Sequence, residues 1–335
     1  MIPILSSLNI SLNALKYLSL KKIQNLFRIG FSYLISQKKP LVYNQIRPFF
    51  ISVEPADFCQ LECPECPVGA SKRKQGKVIN FEAFTKTVDE LKSTLFHLIF
   101  YFQGEPLLNK KLPEMITYAH QSGIFTSTST NGQLINSAIA KALVQSGLDK
   151  IIISIDGVNQ EVYQKYRKGG RLELALEGIT HLNFWKNELK SKTPFVEIQM
   201  VVFKTNEHQI GEMKILAKKM NVNRLAFKSA QLYNFEDGHK LLTTIDKYAR
   251  YKMLPNGKYA LKNKLHNRCF RLWSGAVVTA KGDVLPCCFD KDASHSFGDI
   301  DNFDSVFQNS KAMAFRSTVL ENRKQHEMCR NCTSK

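Results

Sequence analysis

No aspartate or glutamate occurs before Glu54. Over the whole chain of 335 residues, acids remain the minority, 29 against 47 lysines and arginines, for a formal net charge of +18. Such an excess suits nucleic acid, an anionic membrane surface or an acidic substrate, and equally a solvated lysine-rich surface; it does not choose among them. Also missing is an RNP-type aromatic run, which disfavours nucleic acid as a partner. No charge-free apolar run reaches about 18 residues, so no transmembrane helix is expected. Met1 to Ala14 is apolar but broken by serine and asparagine, and no positive segment precedes it. A cleaved signal peptide is therefore not expected, and a cytoplasmic location is.

No cysteine lies between Cys66 and Cys269; all eight fall in two groups, residues 59 to 66 and 269 to 332. Grouped cysteines without a secretory signal read as metal ligands in a reducing compartment. In the first group Cys59, Cys63 and Cys66 stand at a C-x3-C-x2-C spacing in one short loop. Three is odd for disulfides, and a structural zinc site usually closes with four ligands. Three thiolates on one loop can instead grip three corners of a cubane iron–sulfur cluster, leaving one iron open to a substrate or cofactor. The second group runs Cys269, Cys287 and Cys288, then Cys329 and Cys332. Four cysteine thiolates suit structural zinc as well as an iron–sulfur cluster. Cys287 and Cys288 are neighbours, expected to point to opposite faces of a strand, so both cannot easily ligate one centre.

From Phe49 the pattern alternates strand and helix. Strands are expected over 49–53, 97–102, 125–130, 150–155, 195–203 and 224–228, and helices over 81–93, 112–122, 137–145, 172–189 and 207–220. This alternation argues a parallel sheet with helical crossovers, and six such strands suit an open, incomplete barrel whose chemistry gathers at the C-terminal strand ends. Residues 229–268 show no further repeat. Beyond them 276–279 and 284–287 flank the turn at Lys281-Gly282, and 302–320 reads as a helix. At an apolar content of 44% the chain can hold one large domain and a smaller one. Residues 1–48 stand apart as a basic extension with Lys16, Lys21, Lys22, Arg28, Lys38, Lys39 and Arg47. Its Leu15, Leu18, Ile23, Leu26, Phe27 and Leu34 recur at roughly helical spacing. A basic amphipathic helix can lie on a membrane surface; more often it packs its apolar stripe on its own domain, and that packing is expected here.

The cysteine loop, with the strand-end motifs, resembles the radical S-adenosylmethionine (SAM) superfamily over most of the chain from about Phe49. The resemblance implies an α/β fold: a partial (β/α)6 radical SAM barrel over 49–235, a bridging segment over 236–268, and a small Twitch/SPASM-like iron–sulfur domain over 269–335. It implies that Cys59, Cys63 and Cys66 hold a 4Fe–4S cluster whose open iron binds SAM. Gln103-Gly104-Glu105-Pro106 resembles the family's Gly-Gly-Glu-Pro motif, with Gln103 for the first glycine, and would receive the amino group of SAM. Ser129 and Asn131, in Ser129-Thr130-Asn131-Gly132, would approach the ribose. Ser154 and Asp156 follow the fourth strand and would contact polar groups of SAM. Arg167 resembles an arginine that pairs with the SAM carboxylate, as guanidinium geometry suits. Val201 and Val202 would offer an apolar edge to adenine, although strand valines are more often core. Asn206 fits a helix cap equally well. Glu65 stands where the family often has an aromatic residue.

In the second group the family spacing selects Cys269, Cys287, Cys329 and Cys332 for one auxiliary 4Fe–4S cluster. The implied activity is reductive cleavage of SAM to a 5′-deoxyadenosyl radical, which removes a hydrogen from a peptide, sugar or aminocyclitol. The auxiliary cluster would accept the substrate electron, making the enzyme an oxidoreductase, and a flavodoxin or ferredoxin would donate to the first cluster. No acid or base is singled out beyond Lys228 at the last strand's end. The rival readings are a non-catalytic iron–sulfur or zinc scaffold and an RNA-modifying radical SAM enzyme.

Overall fold

The computed structural model describes residues 12–36 and 46–333. The start through residue 11, on which the signal-peptide reading falls, lies outside the described residues, as do Lys38 and Lys39. Six parallel strands form the expected series: β1 Phe50–Val53, β2 His97–Phe100, β3 Phe125–Thr130, β4 Lys150–Ser154, β5 Phe195–Val202 and β6 Arg224–Ser229. Helices Phe81–Leu91, Leu112–Gln121, Ser137–Gln145, Leu172–Glu188 and Ile210–Lys219 connect them. Asn80 and Asn136 cap two of these helices, accepting from Ala83 N at 2.8 Å and Ile139 N at 2.9 Å. Burial on both faces explains why β4 reads as a continuous isoleucine run, with Ile151, Ile152 and Ile153 all buried.

Several elements differ from the sequence reading. A helix over Gln160–Tyr166 precedes Arg167, capped by Asn159, which accepts from Val162 N at 2.9 Å. The expected helix over 302–320 is two, Phe303–Phe307 and Ser310–Asn322. Asn309 breaks it: its Oδ1 caps the second helix through Ala312 N while its Nδ2 donates to Phe297 O. The bridging segment forms a two-stranded sheet, β7 Tyr251–Met253 with β8 Tyr259–Leu261. Tyr251 joins Phe203, Leu232, Phe235 and Leu241 in a second small core.

The C-terminal hairpin is present, β9 Gly275–Val278 with β10 Asp283–Leu285, followed by β11 Gly298–Asp299. It does not stand apart from the barrel, because β9 pairs in parallel with β1 along Phe50–Val53. The result is one nine-stranded sheet in the order β11-β10-β9-β1-β2-β3-β4-β5-β6. Gly275 permits this junction, since a Cβ there would lie 2.4 Å from the Phe50 ring.

The basic extension contributes a 3-10 helix, Leu12–Tyr17, and an α-helix, Leu20–Ile35. The expected inward apolar stripe is found only in part: Leu18 and Leu26 pack against the core beside Ile29, while the rest of the stripe faces outward. Lys22, Asn25, Ile29 and Ser32 are the buried residues of the α-helix, whereas Leu20, Ile23, Phe27 and Leu34 are exposed. Polar anchors set this orientation: Lys22 Nζ donates to Gly123 O, Asn25 exchanges hydrogen bonds with the Arg47 backbone, and Tyr17 donates to Asp149 at 2.5 Å. Among the described residues no helix is long and apolar enough to cross a membrane.

Candidate active site

The cysteine loop leaves the C-terminal end of β1 and ends in a short helical turn, Pro67–Ala70. Gly69 lets that turn close on the loop, since a Cβ there would sit 2.6 Å from Cys63 N. Backbone bonds fix the rest: Cys59 N donates to Arg73 O, Cys66 N to Cys63 O, and Glu62 N to Lys168 O. Cys63 is buried, and Cys59 and Cys66 are half-buried. Burial, with the nearby charges of Glu105, Cys63 and Cys66, pushes the Cys59 thiol up to about 12. Burial raises Cys63 too, against the opposing pull of Arg167. Thiols held this way ionise when they ligate iron, and binding would release their protons.

The strand-end motifs meet this loop. Asn131 donates to Cys59 Sγ at 3.6 Å while its Oδ1 accepts from Gln60 Nε2 at 3.1 Å. Arg167 is held by Asp156, which accepts from its Nε at 2.6 Å; the pair is 15% and 0% exposed. Arg167 is thus a buried cation beside Cys63. Asp156 also accepts from Val201 N at 2.7 Å, joining the ends of β4 and β5. Ser154 ends β4 in a buried position.

Three side chains have roles that the sequence did not disclose. Glu105 is buried and its carboxylate accepts from Thr130 Oγ1 at 2.6 Å, Asn131 N at 2.9 Å and Leu107 N at 3.2 Å. It braces the ends of β2 and β3 together. Glu54, the first acid of the chain, accepts from the backbone N–H groups of Gln103, Gly104 and Ala280. A buried carboxylate directly after a strand was the available signal. Asn206 is not a side-chain helix cap. Its Nδ2 donates to Asp156 O and Val201 O, each at 2.9 Å, and its Oδ1 accepts from Phe203 N, so it staples β4 to β5. Val202 is core and Val201 half-buried. Lys228 is exposed on the edge strand β6, in register with Val201 of β5.

Glu65 acquires a clear purpose. It accepts from Tyr233 N at 3.2 Å and faces His239 Nε2 at 3.4 Å, tying the cysteine loop to the bridging segment. Beyond that tie opens a cleft of about 730 Å³ between the segment and the C-terminal region, with Tyr233, Phe235, Tyr259, Asp290 and His295 in its wall.

In the C-terminal region Cys269, Cys287, Cys329 and Cys332 line one small buried pocket with Leu272, Phe315 and Arg323. Cys288 is not in that wall and is half-buried. The neighbours lie in a turn rather than a strand, because β10 ends at Leu285 and Asp290 N bonds back to Cys287 O, and their thiols stay within hydrogen-bond reach of each other. Burial pushes the Cys329 thiol up to about 11, and Arg323 Nη2 donates to Cys332 Sγ at 3.2 Å.

Residues 53–214 match the family model described as the radical SAM superfamily. The chain belongs to that superfamily. Residues 269–333 match SPASM, described as an iron–sulfur cluster-binding domain. The chain therefore takes SAM and 4Fe–4S clusters as cofactors. It is 29% identical over 170 residues to the Fe-coproporphyrin III synthase of Methanosarcina barkeri, covering 50% of this chain and 41% of that protein. It is 23% identical over 312 residues to the PqqA peptide cyclase of Bradyrhizobium diazoefficiens, covering 85% of this chain and 78% of that protein. The first match thus takes in less than half of the relative's length. Among solved structures, SuiB of Streptococcus suis bound to S-adenosylmethionine superposes with a TM-score of 0.61 at 16% identity, covering 81% of this chain and 68% of that one. At that identity the likeness speaks for the fold.

Proposed function

We propose that this radical SAM enzyme oxidises or otherwise modifies a peptide, using one auxiliary 4Fe–4S cluster. The division of labour follows the boundaries read from sequence: a SAM barrel over 49–235, a bridging segment over 236–268 and an auxiliary-cluster region over 269–335. The observation that carries the reading is the convergence of Cys269, Cys287, Cys329 and Cys332 on one pocket, in a sheet continuous with the barrel that carries Cys59, Cys63 and Cys66. Four protein ligands close the second centre to substrate, which suits electron transfer. The peptide substrate is supported by similarity to a peptide cyclase over 85% of this chain and by the open cleft between the bridging segment and the C-terminal region.

When bound, the first cluster and SAM supply a 5′-deoxyadenosyl radical. The chain's part is to bind, orient and exclude water. Glu54 takes the N–H groups of Gln103 and Gly104, so the motif offers the SAM ammonium carbonyl oxygens only. Glu105 keeps that strand end rigid. Asp156 holds the Arg167 guanidinium beside Cys63, where it would pair with the SAM carboxylate. Asn131 donates to Cys59 and steadies the cysteine loop, and Ser129 and Ser154, at the neighbouring strand ends, would contact polar groups of SAM. A flavodoxin or ferredoxin serves as electron donor.

Anaerobic reconstitution with iron and sulfide, followed by SAM and dithionite, tests this reading. Formation of 5′-deoxyadenosine is expected. A fully clustered protein that leaves SAM intact would favour the scaffold reading instead.

A further inference from the structure

The helix Leu20–Ile35 lies across the N-terminal ends of the barrel strands, the face opposite the cysteine loop. Its anchors show this: Lys22 reaches Gly123 just ahead of β3, Tyr17 reaches Asp149 just ahead of β4, and Asn25 grips Arg47 just ahead of β1. Its inner face is made of Lys22, Asn25, Ile29 and Ser32. On its outer face Leu20 is 71% exposed, Ile23 37%, Phe27 69% and Leu34 63%. Steps of three, four and seven residues place these four on one stripe. Leu15, also exposed, precedes it in the 3-10 helix. The barrel is held by a mixed face, Lys22 and Asn25 with Ile29, Leu26 and Tyr33, so the outer apolar stripe is not needed for the helix to dock. Large exposed apolar stripes bordered by polar residues mark contact sites.

The border identifies the partner. Lys16, Lys21 and Arg28 are exposed around the stripe, and the chain has no acidic residue before Glu54. We propose that this face docks the enzyme on an anionic phospholipid surface. Leu20, Ile23, Phe27 and Leu34 enter the boundary between headgroups and acyl chains, and the three cations meet lipid phosphates. A second copy of the chain fits this face poorly, because a two-fold contact would set the same cationic border against itself. The orientation has a consequence: with the strands' N-terminal ends toward the bilayer, the cysteine loop and its cleft open to water, and substrate arrives from the aqueous side.

Vesicle flotation of the full, cluster-loaded chain tests the proposal. Wild-type protein is expected to float with phosphatidylcholine–phosphatidylglycerol vesicles roughly ten-fold more than with phosphatidylcholine alone, and added salt should release it. The Phe27→Ser/Leu34→Ser double variant should lose binding by about ten-fold while keeping its cluster absorbance, since both side chains are exposed. Lys21→Ser/Arg28→Ser should lose the preference for the anionic lipid. Wild-type protein that stays unbound with both vesicle types overturns the proposal. A dimer that the Phe27→Ser/Leu34→Ser variant dissociates would then give the stripe to a second copy, and a monomer would give it to another part of the chain. Equal flotation with both vesicle types overturns the anionic specificity.

Discussion

Asp156 shows how much of the site rests on one carboxylate. It holds Arg167 on one oxygen and Val201 N on the other, with no exposure to solvent. Asp156→Asn keeps the shape and the Val201 bond but leaves a buried guanidinium without its counter-charge. Breaking such a pair from one side costs about 3–5 kcal/mol, so denaturant unfolding should show a loss of that order, with SAM binding weakened in the same variant. An unchanged midpoint would mean that Arg167 is not held by this pair. His97 gives a pH signature. It is buried between β1 and β3, with Nε2 2.7 Å from Ser127 Oγ, and burial depresses it from 6.5 to about 3. The folded chain refuses a proton that the unfolded chain accepts below 6.5. Stability is therefore full above that pH and falls as pH drops toward 3, by about 2 kcal/mol at pH 5. Melting curves between pH 7 and 5 should show a steeper decline for wild type than for His97→Leu, and parallel declines would remove His97 as the cause.

At the level of elements, the barrel was legible because buried parallel strands and their crossover helices carry strong periodicity. The limits 125–130 and 137–145 match the structure residue for residue. Two classes of element were not legible. Strands of three residues, as in β7 and β8, are too short to show a period. The helix Leu20–Ile35 shows the right period, but hydrophobicity points only partly to the right face: Ile29 and Leu26 pack inward, while Lys22 and Asn25 find buried partners there and Ile23, Phe27 and Leu34 face out. Long-range partners of this kind are invisible to local pattern. The same holds within the site: the cysteines were readable from spacing, whereas Glu54, Asn206 and the brace role of Glu105 depend on which strand ends lie side by side. Glu65 is the element-scale case, joining the cysteine loop to the bridging segment through Tyr233 and His239. Glu65→Ala should leave both clusters in place and loosen residues 236–268. Limited proteolysis there should run several-fold faster than in wild type, and an unaltered cleavage rate would show that the small core around Tyr251 suffices.

The whole molecule places two cysteine centres on one sheet, because β9 adds to the edge of β1 rather than starting a separate layer. Sequence gave no sign of this junction, where Gly275 meets the Phe50 ring. Continuity through a shared sheet ties the second cysteine group to the barrel. The central claim is that the two centres are both iron–sulfur clusters with different tasks. The most direct measurement is iron content and 5′-deoxyadenosine yield, taken together, for anaerobically reconstituted wild type, Cys63→Ala and Cys332→Ala. Wild type should hold about eight irons and cleave SAM. Cys63→Ala should hold about four and form no 5′-deoxyadenosine. Cys332→Ala, checked by circular dichroism because metal sites can supply folding energy, should also hold about four yet still form it. About four irons with one zinc in wild type, or 5′-deoxyadenosine from Cys63→Ala, would contradict the account.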